Sequence, residues 1–205
     1  MARVSGPLMS MEASGTIAST LVYSRWKGIP YVRRHAIPSN PRSPKQIAVR
    51  ASMRFFSRQW PGLVQPYQAL WKTQAESMHQ SGFNRYIAVA LRDMAHMLPP
   101  TATPTPSAPG TPCDAATVVA TGGIGNATVV LTDGLTPPTW GYAIFAKLGG
   151  APTPGPDTLV GVVDFGNVPF VHTPIAAGTW HYIVRGFDLQ VTWGADSTDT
   201  TATVS

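Results

Sequence analysis

The residues best placed to do chemistry in this chain are basic. Arg33, Arg34, Arg42, Lys45, Arg50, Arg54 and Arg58 follow one another closely, with Trp26 and Tyr31 at the head of the run. Such a ladder neutralises phosphates while aromatics stack on bases, pairs with carboxylates on another protein, or forms no more than a solvated helix face. On the residues alone all three readings stay open. No helix-turn-helix, zinc finger or other nucleic-acid module accompanies the ladder. Arginine and aromatic side chains are enriched at protein interfaces, which weights the reading towards acidic protein surfaces.

Other chemistry finds little material. A glycoside hydrolase needs two placed carboxylates, and the aspartates here stand mostly at expected turns, where Asp bonds local backbone. No G-x-S-x-G elbow is present. His35, His79, His96, His172 and His181 lack ligand-like spacing, and Cys113 is the only cysteine, so neither a disulfide nor a cysteine zinc site is expected. "GGIGNA" (Gly122–Ala127) has no full glycine fingerprint and no helix after it, so it reads as a turn between strands. The expectation is a non-enzymatic chain with no cofactor and no metal.

Charge is scarce and uneven. Only 12% of the 205 residues are charged, about half the usual share of roughly 25%. Residues 1–98 hold thirteen Lys/Arg against Glu12, Glu76 and Asp93, whereas residues 99–205 hold Lys147 and Arg185 against seven aspartates. The basic half therefore faces an acidic partner, nucleic acid or protein. The N-terminus lacks the apolar core of a signal peptide, and no apolar run reaches the ~18 residues of a membrane span. The reading is a soluble, unprocessed chain, intracellular at synthesis, with no membrane partner.

The elements that must position these residues fall into two textures. "GTIASTLVYSRW" and "IPYVRRHAI" are β-prone runs around Lys27-Gly28, a hairpin signal, and Pro30 belongs at an edge or a strand start. Ser43-Pro44 opens a helix as cap and first residue. On it Val49, Met53, Phe56 and Trp60 are expected to face inward, and Arg50, Arg54 and Arg58 form a separate stripe at i, i+4, i+8. Pro61-Gly62 ends it. A second helix aligns Leu63, Tyr67, Leu70 and Trp71; after the break at Ser81-Gly82 a third aligns Phe83, Ile87, Leu91 and Met94.

"PPTATPTPSAPGTP" (Pro99–Pro112) reads as a semi-rigid spacer of polyproline type. Beyond it come about seven short strands separated by Gly, Pro, Asp and Asn turns, the pattern of an antiparallel sandwich. In "GTWHYIVRG", Trp180, Tyr182 and Val184 alternate with His181, Ile183 and Arg185, which places the first set in the core. The expected architecture is α+β: an anchoring module over 1–98 (a β-hairpin arm plus about three short helices), a Pro-rich linker over 99–112, and an all-β immunoglobulin-like sandwich over 113–205.

Two resemblances extend this reading. "WGYAIFAKLGG" and "PIAAGTWHYIVRGFD" resemble the central and penultimate strands of fibronectin type III and related immunoglobulin-like domains. Gly15, Ile17, Leu21, Tyr23, Trp26, Lys27, Gly28, Tyr31 and Arg33, followed by Asn40, Pro41, Arg42, Gln46, Arg50, Phe55 and Phe56, resemble a segment of tailed-bacteriophage and prophage structural proteins, and "SGFNRYI" fits the same group. The second resemblance implies a structural protein of the virion, made in the host bacterial cytoplasm and repeated as a symmetric homo-oligomer. Its implied partners are capsid, neck or tail subunits, with cell-surface glycans a further contact of the sandwich and nucleic acid the alternative partner. The partner-binding set then comprises Tyr23, Trp26, Lys27, Gly28, Tyr31, Arg33 and Arg34 on the hairpin. Asn40, Arg42, Arg50, Arg54 and Arg58 complete it.

Overall fold

A computed structural model describes residues 3–4, 13–17, 20–26, 29–37, 39–40, 42–105, 111–166, 169–188 and 192–205. The chain divides into two compact units, Met1–Pro41 and Arg42–Ser205.

The first unit is an antiparallel sheet of four strands in chain order: β1 (Arg3–Val4), β2 (Ala13–Ile17), β3 (Leu21–Trp26) and β4 (Ile29–Arg34). The hairpin read from the sequence is its β3–β4 half, with Tyr23 opposite Val32 and Trp26 opposite Ile29. The expected Lys27-Gly28 turn lies outside the described residues. β4 ends the sheet, which suits Pro30: an edge strand tolerates a residue without an N–H.

The second unit opens with three helices, α1 (Pro44–Gln59), α2 (Gln65–Glu76) and α3 (Gly82–Ala95). Ser43 stands at the start of α1 without a side-chain cap, whereas Ser81 Oγ accepts the Asn84 N–H and caps α3. α1 buries Ala48, Ser52, Phe55 and Phe56. The expected inward positions Val49 and Met53 are 52% and 39% exposed, so the buried face is rotated from the one read by periodicity. The reason is that α1 packs on two partners at once. Phe56 meets Tyr86 of α3, while Phe55 meets Phe187 with ring centroids 5.5 Å apart. On α2 likewise Trp71 is buried but Tyr67 and Leu70 are exposed.

Eight strands complete the unit. β5 (Thr117–Gly123), β6 (Asn126–Thr132) and β9 (Phe170–His172) form one sheet in the order β5-β6-β9. β7 (Gly141–Leu148), β8 (Leu159–Asp164), β10 (Gly178–Phe187) and β11 (Trp193–Asp196) form the other in the order β11-β10-β7-β8, with β12 (Thr200–Val204) also paired to β10. All seven strands read from the sequence are present, and β11 is added. The sheets face each other across Val118, Val129 and Leu131 on one side and Tyr142, Ile144 and Val184 on the other. Tyr182 and Val184 are fully buried, as the alternation on β10 requires, and Trp180 is partly buried.

The outer face of the β7-containing sheet is covered too. Ala143, Phe145, Leu159 and Phe187 share a core with Phe55, Phe56, Trp71, Tyr86 and Met94 of the helices. The expected linker at 99–112, of which residues 106–110 lie outside the described residues, begins packed against this core. Thr101 and Ala102 are buried, and the Trp71 indole N–H donates to the Ala102 carbonyl at 2.8 Å. Trp193 Nε1–H donates to the Met97 carbonyl at 3.0 Å. Extended proline-rich chain leaves its carbonyls without partners; here the Trp71 indole supplies one at Ala102, and the Trp193 indole holds the turn after α3 at Met97. Helices and sandwich are one body, and the N-terminal sheet is the other.

Candidate functional site

The arginine stripe lines a groove. The helical repeat that turns Phe55 and Phe56 inward sets Arg50, Arg54 and Arg58 along one flank of α1. Together with Arg42 they form one wall of a cavity of about 580 Å³. The opposite wall is Val160–Asp164 of β8, with Phe170 and His172 of β9. β8 and β9 are terminal strands of the two facing sheets, so the groove runs along an open edge of the sandwich.

Two contacts fix the orientation. Ala48, Ser52 and Leu159 line one small apolar cavity, and at the far end the Gln59 side-chain amide donates to Asp164 Oδ1. α1 and β8 therefore run side by side in the same direction. Gly161 allows β9 to come close, since a Cβ there would stand 2.5 Å from Phe170 Cε2.

The electrostatics are one-sided. Among the described residues Asp164 is the only acid in the lining, against four arginines. Among the described residues neither Arg54 nor Arg58 pairs with a carboxylate. His172 adds no charge near neutral pH, because burial pushes its imidazole down to about 4. Its Nδ1 lies 3.2 Å from the Tyr182 hydroxyl, and its ring stacks on Phe170 and meets the edge of Trp180. The groove thus combines a cationic helix wall with a strand wall of backbone, valine and aromatic rings that carries one carboxylate, Asp164, at its end. It is suited to hold an anion-bearing chain.

The sequence-derived set divides between the two units. Tyr31, Arg33 and Arg34 are exposed on β4, and Tyr23 is half-buried on β3. Strand alternation puts Tyr31 and Arg33 on one face and Arg34 on the other. Trp26 ends β3, Lys27 and Gly28 fall outside the described residues, and Asn40 is exposed in the segment after β4. Only Arg42, Arg50, Arg54 and Arg58 come together in the groove. Sequence reasoning missed the second wall, Val160–Asp164 with Phe170 and His172. Its one signal was Gly161 inside an apolar strand, a mark of close approach.

No helix among the described residues is long and apolar enough to cross a membrane. No protein-family model matches the chain, and no curated protein matches it. Solved structures similar to it include a β-1,2-glucanase from Parabacteroides distasonis (TM-score 0.38, 14% identity, covering 50% of this chain and 14% of the glucanase). Others are the chicken CNTN1 FN1-FN3 domains (TM-score 0.33, 17% identity, 47% of this chain and 34% of that one) and an Fn3-like protein from Clostridium thermocellum (TM-score 0.31, 16% identity, 48% and 96%). This chain therefore spans about a seventh of the glucanase and a third of the CNTN1 fragment. The expectation of a non-enzymatic chain is corrected by the first of these, an enzyme with a region of similar fold, and it is not carried further. The likeness is one of fold and assigns no reaction. The chain is α+β, with a β-sandwich whose structural neighbours include fibronectin type III-like domains.

Proposed function

We propose that this chain is a structural component of a tailed-phage virion, held to other virion subunits through acidic surfaces that meet its arginines. The observation that carries the docking part is the groove: among the described residues Arg54 and Arg58 line it without a carboxylate partner, and its carboxylate, Asp164, already accepts a hydrogen bond from Gln59. The exposed Tyr31, Arg33 and Arg34 on the terminal strand β4 add a second basic surface, on a sheet edge of the kind that accepts a neighbour's strand. The particle part rests on the residues shared with phage structural proteins from Gly15 to Phe56. In a symmetric particle, weak contacts of this kind repeat and add. The sandwich is not held off on a spacer, since it shares a core with the helices. Mass spectrometry of purified virions tests the reading. The chain is expected in fixed stoichiometry with the capsid, neck or tail proteins, and its absence from particles rejects the proposal.

A second reading uses the same arginines on phosphates, as a nucleic-acid-binding accessory protein. It expects the full chain to bind DNA with an affinity that falls steeply as salt rises. No binding at low salt ends it.

A further inference from the structure

We infer that the groove between α1 and β8 is a receptor for an extended acidic segment of another protein, which adds to the edge of β8 and turns its carboxylates to the arginine stripe. The inference deepens the acidic-partner half of the proposed function and rests on it.

Four observations converge. First, β8 ends its sheet, so alternate residues of Leu159–Asp164 direct backbone N–H and C=O groups away from β7, the geometry that pairs with an incoming strand. Secondly, the arginines lie beside that edge, on a helix that runs along it. Thirdly, the repeats match. Residues four apart on α1 rise about 6 Å, and residues two apart on an extended chain advance about 6.7 Å. Carboxylates at every second position of a strand therefore keep step with Arg54 and Arg58, and Arg50 continues the stripe. Fourthly, Val160 and Phe170, partly buried against the sandwich core, give the strand wall an apolar side that can take the alternate side chains.

The occupant is a different protein rather than a second copy. No ten-residue stretch of this chain holds more than two Asp or Glu. A protein segment also fits better than a nucleic acid, because strand edges offer backbone pairing that a sugar–phosphate chain does not use.

The test uses the full chain and a fluorescein-labelled ten-residue peptide alternating glutamate and threonine, read by fluorescence anisotropy. Binding is expected at low salt and should weaken as salt rises. The double variant Arg54→Glu/Arg58→Glu should raise Kd at least tenfold, while Lys147→Glu, away from the groove, leaves it unchanged. Should the double variant melt below the parent chain, Arg54→Gln alone replaces it, with a weakening of severalfold expected. A peptide N-methylated at alternate residues, with the same charge, should lose most of its affinity. The inference is overturned by a peptide that does not bind, by arginine variants that bind it equally, or by an N-methylated peptide bound as well as the parent. It is also overturned if a ten-nucleotide oligothymidylate binds tighter than the peptide through the same arginines. Presence of the chain in virions is decided separately, so a failed groove and a failed particle assignment are distinguishable.

Discussion

Trp71 donates its indole N–H to the carbonyl of Ala102 at 2.8 Å, and both residues are buried. This bond ties the front of the proline-rich segment to the helical core. Replacing Trp71 with Phe removes the donor and leaves a buried carbonyl without a partner. The expected loss is about 1–3 kcal/mol, seen as a lower urea midpoint with an unchanged slope.

Gly161 and Phe170 bring β8 and β9 together. In Gly161→Ala the new methyl would stand 2.5–3.0 Å from three atoms of the Phe170 ring. Overpacking of this kind typically costs about 1–3 kcal/mol. The loss should shrink when Phe170→Leu is added, and a double-mutant cycle between the two positions should give a coupling well above zero. Additive losses would mean that the contact is not shared.

His172 makes stability depend on pH. Its folded pKa lies near 4, below the ordinary value of 6.5, because burial disfavours the imidazolium. The unfolded chain therefore takes up the proton first as pH falls. The contribution is fully present above pH 6.5 and is lost progressively down to about pH 4, by up to about 3 kcal/mol. Thermal melts across that window should show a falling midpoint, and His172→Gln should flatten the slope. An unchanged slope in the variant would assign the pH dependence elsewhere.

Removal of residues 1–41 should leave a folded protein. The unit from Arg42 to Ser205 contains both hydrophobic clusters, whereas a fragment ending at residue 98 strips Phe55 and Phe56 of Trp140, Phe145 and Phe187. Residues 42–205 should unfold in a single cooperative transition. Residues 1–98 should show weak helical circular dichroism and rapid proteolysis.

Much of this fold was legible in the residues, and the misreadings have particular causes. The three helices, seven of the eight sandwich strands and the i, i+4, i+8 arginine stripe follow from periodicity and turn chemistry. β11 escaped because "WGAD" is short and mixed. The helix–sandwich union escaped although β7 carried its signal: Gly141 to Ala146 are six consecutive buried residues. A strand with one wet face alternates, and an unbroken apolar run means that both faces are covered. Val49 and Met53 were misplaced for the same reason, since a helix wedged between α3 and a sheet buries a different arc than one packed on helices alone. The groove's arginine wall could be read locally, but the wall of β8 and β9 could not. Its residues lie more than a hundred positions away and meet α1 only through the tertiary fold.

The covering of the second sheet face also bears on how this domain can be inherited. A sandwich with one wet face can be cut out and joined to a new chain as a unit. Here Ala143, Phe145 and Phe187 would be stranded in water without the helices, and Phe55 and Phe56 would be stranded without the strands. Recombination that parts the helices from the strands of Arg42–Ser205 therefore uncovers a buried apolar face on each half. The position that tolerates a swap is the junction near residue 41, so variation among descendants of this gene should enter by exchange of the first sheet while the groove and sandwich pass on together.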